Sequence, residues 1–260
     1  MKVISTLLFS TLCAFAINAN AQNQNEIMLT NGIKMLDTPY VAHTLEMEGD
    51  EDLVINCDEV DCTTFVEYIL AMSLSPTEDG QVAEGDFADY LQKIRYRNGK
   101  IDGYTSRLHY IADWINNGVR NGLIEDVTAA NSPITGKISL SYMSSHPDQY
   151  DQLKNSSANV AKMKEIEKSL SGQTINYIPK DKLPNNGLPW IKNGDIIAIT
   201  TNIPGLDVVH MGIAFYVQGK LCLLHASSSE KKVVVSKVTL AQMLKDSNNM
   251  TGIRVLRMKK

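Results

Sequence analysis

Helical spacing of apolar residues marks stretches near 24–36, 62–74, 84–94, 106–117, 157–170 and 239–246. The clearest is CTTFVEYILAMSL, where Phe65, Ile69 and Met72 recur beside Val66 and Leu70. Alternating or continuous apolar runs predict strands near 174–179, 195–201, 209–217, 221–226, 232–237 and 252–258. Most helices precede the strands, and the strands follow one another closely. That order predicts an α+β fold with a mainly antiparallel sheet. The segment from Ile134 to Asn159 is mixed and polar and reads as loop and short helix. No stretch is rich enough in Gly or Pro to divide the chain.

The run VVHMGIAFYVQGKLCLLHASS reads as a hairpin turning at Gln218-Gly219. A turn centred there sets Gly212 opposite His225 and places His210 diagonal to it. Because side chains alternate, His210, Gly212, Ala214, Leu223 and His225 then share one face, and Met211, Ile213, Phe215, Cys222 and Leu224 share an apolar core face. The two imidazoles can meet over the small Gly212 and Ala214. A three-residue turn would instead put them on opposite faces.

The first residues change the picture of the chain's length. Lys2, an apolar run from Val3 to Ile17, and Ala19-Asn20-Ala21 before Gln22 have the order of a secretory signal. Residues 1–21 are therefore expected to be removed. Residues 22–260 are expected to form a single catalytic domain, periplasmic or secreted, with no membrane anchor. With 43% hydrophobic residues the chain can bury a sizeable core, and its formal charge of −4, with scattered Lys and Arg, does not suit a nucleic-acid partner.

Loss of Cys13 leaves Cys57, Cys62 and Cys222, an odd number, so at least one thiol stays free unless another molecule supplies a partner. Cys57 sits among Asp58, Glu59 and Asp61, whose charges oppose a thiolate. Cys222 lies in an apolar strand. Cys62 opens a helix after the capping residue Asp61, where unpaired backbone N–H groups favour a thiolate. A thiolate nucleophile needs a base and a group to orient that base, and His210 with His225 supply both. His43, His109 and His146 read as structural or solvated. No H-E-x-x-H or paired Cys-x-x-Cys occurs, so no metal or other cofactor is expected.

Asp-Cys at a helix start, followed far downstream by His-x-Gly-Ile and then His-Ala-Ser, resembles the NlpC-type papain-like cell-wall hydrolases. The chain has Thr63-Thr64 where most members carry Ser-Gly. The segments DCTTFVE, IRYRNGKIDGYTSRLHYIADW, GDIIAITTNIPGLDVVHMGIAF and HASS, in this order, resemble the N-acetylmuramoyl-L-alanine amidase-like branch of that superfamily. The resemblance implies a papain-like fold with the cysteine helix packed on the sheet, Cys62 as nucleophile, His210 as base and His225 as orienter. It implies peptidoglycan fragments as substrate, cut between the lactyl group of N-acetylmuramic acid and L-alanine.

Substrate-binding candidates follow. Tyr40 resembles the tyrosine that the superfamily places beside the nucleophile, while Asp61 and Thr63 correspond to residues that hold an L-alanine amine in stem-cutting relatives. Arg95, Arg97 and Arg107 could pair with stem carboxylates, and Tyr96, Tyr104, Tyr110 and Trp114 could pack on a sugar. Of these, Arg107 and Tyr110 are expected to face the sugar or the first stem carboxylate. Two rivals are a γ-D-glutamyl-diaminopimelate endopeptidase on the same scaffold and a non-catalytic muropeptide-binding protein.

Overall fold

A computed structural model of the chain describes residues 24–47, 49–78 and 81–259. The expected leader, 1–21, lies outside the described residues. Six helices carry the framework: α1 (Gln24–Lys34), α2 (Cys62–Leu74), α3 (Glu84–Arg95), α4 (Ile111–Arg120), α5 (Ser157–Leu170) and α6 (Leu240–Asp246). Seven strands build the main sheet: β1 (Ile124–Asp126), β2 (Ile178–Pro179), β3 (Ile196–Thr201), β4 (Val208–Val217), β5 (Lys220–Ser227), β6 (Lys232–Val235) and β7 (Met250–Met258). Their order is β6-β5-β4-β3-β7-β1, with β2 pairing β7, and every pair is antiparallel.

The chain is thus α+β with a mainly antiparallel sheet, and the differences from sequence expectation are local. Helix α4 starts at Ile111 because Tyr104–Ser106 forms a short 3-10 turn and Arg107 bridges back to Tyr96. The strand expected over 174–179 splits: Thr174–Asn176 pairs with Thr135–Lys137 in a separate ribbon, and only Ile178–Pro179 joins the main sheet. Strand β1 fell outside the expected set because three residues are too few to show a period.

Helix α2 packs on one face of the sheet. Phe65, Val66 and Ile69 are fully buried with Met211, Ile213 and Leu224 in one cluster, and each such side chain contributes about 1.5–3 kcal/mol by leaving water. The opposite face joins Ile197, Ile199, Ala214 and Leu223 to Leu240, Ala241 and Leu244 of α6. A third cluster gathers Tyr104, Tyr110, Leu140, Met143, Leu153, Met163 and Leu170. Among the described residues no helix is long and apolar enough to cross a membrane.

Both central residues of the β4–β5 turn have positive φ, Gln218 at 49° and Gly219 at 76°. A tight two-residue loop of this hand matches the strand twist and fixes register. Val217 pairs with Lys220 and Ile213 with Leu224, which is the register expected from the sequence.

Candidate active site

Asp61 caps α2. Its Oδ1 accepts from Thr63 N at 2.9 Å and Thr64 N at 2.8 Å, and Thr64 Oγ1 accepts from Asp61 N at 2.9 Å in return. Two of the first-turn N–H groups that the sequence assigns to a thiolate are thereby taken by a carboxylate. Burial, and after it the Asp61 charge, push the Cys62 thiol up to about 11 against the help of Met211 N–H, the Thr63 hydroxyl and its own N–H. Cys62 rests as a neutral thiol, in contrast to the thiolate that its helix position suggests.

Met211, one residue after His210, is the sheet residue whose backbone N–H eases the Cys62 shift. Ladder pairing between β4 and β5 stops at Ile213↔Leu224, short of this residue. A bulge on the other side of β4, where Ile199 faces His210 but Thr200 faces Val208, re-aims the strand at this point. Gly212 is required here, because a Cβ on it would stand 2.8 Å from Leu224 O and 2.8 Å from Leu223 Cγ.

The two histidines meet as the hairpin register requires. His210 Nε2 lies 2.7 Å from His225 Nδ1, and the rings stand edge to face at 89° with centroids 4.9 Å apart. Burial pulls His210 down to about 3, with His225 adding to the shift, and burial pulls His225 down to about 4 against the charge of Glu230. Both rings are therefore neutral near pH 7. Among the described residues His210 Nδ1 makes no hydrogen bond and none joins Cys62 to His210, an arrangement common in unliganded sites that tighten around substrate.

A cavity of about 290 Å³ beside the sulfur is lined by Tyr40, His43, Glu46, Asp61, Cys62, Thr63 and Arg107, among others. Four of the expected binding residues, Tyr40, Asp61, Thr63 and Arg107, are thus brought together with Cys62. Strand-like pairing of Tyr40 with Val60 carries the tyrosine there, and its phenol is raised by burial and then by Cys62 and Asp61. Arg107 is not free to receive a carboxylate. Its NH2 group donates to Glu46 at 2.8 Å and its NH1 group to Leu45 O at 3.0 Å. Nε lies 3.2 Å from Glu51 in an ion pair whose angle makes no hydrogen bond.

Arg95 and Tyr110 require correction. Arg95 is 1% exposed; it donates to Glu67 at 2.7 Å and lies over the Tyr68 ring. Tyr110 donates to Glu167 at 2.7 Å and accepts from Met143 N at 3.0 Å. Both are buried in hydrogen-bond networks, and neither lines the thiol cavity. Tyr96 and Trp114 are likewise buried, and Arg97 pairs with Asp113. His43, read from sequence as structural or solvated, is exposed and also lines the cavity.

Among the described residues three cysteines are free thiols: Cys57 is exposed and Cys222 buried, with Cys62 between. Partial desolvation and then Asp58 raise Cys57, as its acidic neighbours suggest.

Comparison with known proteins places this geometry in a family. Two crystal structures of an N-acetylmuramoyl-L-alanine amidase from Bacteroides uniformis ATCC 8492 share 71% and 73% identity, with TM-scores of 0.89, covering 91% and 90% of this chain and 99% of theirs. A Bacteroides fragilis protein, provisionally named a xylanase, shares 68% identity over 88% of this chain and 100% of its own, with a TM-score of 0.87. No curated protein matches the chain. The family described as AmiA-like, N-acetylmuramoyl-L-alanine amidase-like, matches residues 31–253, and the chain belongs to it.

Proposed function

We propose that the protein is a cysteine amidase that splits the lactyl–L-alanine amide of muropeptides, with Cys62 as nucleophile, His210 as general base and acid, and His225 as orienter. The observation that carries the reading is the 2.7 Å bond between His210 Nε2 and His225 Nδ1. A neutral His210 that donates from Nε2 to His225 keeps the Nδ1 lone pair for a proton. His225 then carries its own proton on Nε2, so the bond sets both tautomers.

As the sulfur attacks the lactyl carbonyl, His210 Nδ1 takes the thiol proton. The negative charge that develops on oxygen is offered the Cys62 N–H at the start of α2, which the Asp61 cap leaves untaken. Collapse breaks the C–N bond, and His210 returns the proton to the departing L-alanine amine. A water, deprotonated by His210, then adds to the muramoyl thioester; the C–S bond breaks, the lactyl carboxylic acid leaves, and His210 returns its proton to the Cys62 sulfur. Starting from neutral partners, proton transfer accompanies attack rather than preceding it.

The leader expected at 1–21 directs this activity outside the cytoplasm. Glycoside hydrolysis, suggested by the Bacteroides fragilis name, uses two carboxylates across the bond. The two in this cavity are engaged: Asp61 caps α2 and Glu46 pairs with Arg107.

Incubation with N-acetylmuramoyl-L-Ala-γ-D-Glu-diaminopimelate and with the sugar-free tripeptide tests the reading by product mass. The amidase releases intact tripeptide from the first and leaves the second whole. Release of L-Ala-D-Glu from the sugar-free peptide would assign the endopeptidase instead.

A further inference from the structure

The muropeptide stem presents a free α-carboxylate on D-glutamate one residue beyond the L-alanine nitrogen, and an anion in a half-enclosed cavity requires a donor or a cation. Arg107 does not meet that requirement. Two carboxylates, Glu46 at 2.8 Å and Glu51 at 3.2 Å, neutralise its guanidinium, and Leu45 O occupies a further N–H. Asp61, also on the cavity lining, carries a like charge and repels an anion, and its Oδ1 is held in the helix cap.

His43 remains. Its side chain is exposed, lines the same cavity as Cys62, and makes no hydrogen bond among the described residues. Its backbone has φ of 62°, a left-handed conformation that histidine adopts more readily than most residues, and its carbonyl accepts from Glu46 N at 3.0 Å. We propose that His43 is a specificity-determining residue that holds the D-glutamate α-carboxylate and so sets the stem in register with Cys62. This deepens the amidase reading and rests on it.

The test compares N-acetylmuramoyl-L-Ala-D-Glu with its amide, N-acetylmuramoyl-L-Ala-D-isoGln, as ligands for the inert Cys62→Ala protein, so that binding is read whichever bond the active enzyme cuts. The acid should bind at least about tenfold more tightly than the amide, the range of a charge-assisted hydrogen bond. Adding His43→Ala should remove that preference, and His43→Gln should restore part of it, each read on protein shown by its thermal transition to be folded at the assay temperature. A preference that survives His43→Ala, or one absent from the Cys62→Ala parent, would overturn the proposal. Failure of the amidase reading shows separately, in the products of the active enzyme.

Discussion

Removing the Arg95 guanidinium should damage folding rather than substrate recognition. Arg95 and Glu67 are 1% and 2% exposed and joined at 2.7 Å, and Arg95 NH1 also holds Val54 O at 2.5 Å. Arg95→Met would leave Glu67 as a buried carboxylate with no counter-charge. Breaking such a pair from one side typically costs about 3–5 kcal/mol. For a chain of this size each kcal/mol lowers the midpoint by roughly 2–4 °C, so a loss of about 6–20 °C is expected by calorimetry.

The pH dependence has a definite sign. Burial already raises Glu67 while Arg95 pulls it down, so without Arg95 its folded pKa rises further above the unfolded value. A carboxyl raised in the folded state is stabilising when protonated, and that stabilisation is lost as pH climbs through the folded pKa. The Arg95→Met deficit should therefore be smaller near pH 5 than near pH 8. Replacing both partners, Glu67→Leu with Arg95→Met, should recover much of the loss, since an apolar pair can match a buried ion pair. A single variant that melts within about 2 °C of wild type but loses substrate affinity would refute the structural assignment and return Arg95 to the binding site.

Three further outcomes follow from the site. His210→Ala should lower kcat/KM by about 10²- to 10⁴-fold, whereas His225→Gln, whose amide oxygen can still accept from His210 Nε2, should lose less than His225→Ala; equal losses at all three would argue against base and orienter roles. Alkylation of Cys62 by iodoacetamide should keep accelerating as pH rises towards about 11, because raising a thiol's pKa moves thiolate formation to higher pH; a plateau below pH 7 would mean a resting thiolate–imidazolium pair. Gly212→Ala should cut activity sharply though it removes no reacting group, since its Cβ would stand 2.8 Å from Leu224 O and push β4 from β5 beside the histidines; wild-type turnover would contradict the register argument.

Much of the site is legible in the sequence because it rests on local signals. Asp61 before an apolar run announces the start of α2, and Gln218-Gly219 fixes the register that brings His210 to His225. The resting state of Cys62 was legible only in part, because the carboxylate that starts the helix also takes the N–H groups that would hold a thiolate. Arg95 and Tyr110 misled because their partners are remote: Glu67, Val54, Glu167 and Met143 are 28, 41, 57 and 33 residues away. No local pattern tells an arginine facing a buried glutamate from one facing a ligand. The place of His43 on the cavity lining is not legible for a related reason: it depends on the pairing of Tyr40 with Val60 and on one left-handed residue, and neither leaves a periodic trace.

The most direct test is to trap the covalent intermediate. Enzyme mixed with excess N-acetylmuramoyl-L-Ala-γ-D-Glu-diaminopimelate and quenched in acid, where thioesters persist, would be digested and mapped by mass. The account predicts an N-acetylmuramoyl group, joined through its lactyl carbonyl, on the peptide that contains Cys62, together with free tripeptide beginning at L-alanine. An acyl group that includes L-alanine and D-glutamate on Cys62 would contradict the bond assigned, and an adduct on any other residue would contradict the nucleophile.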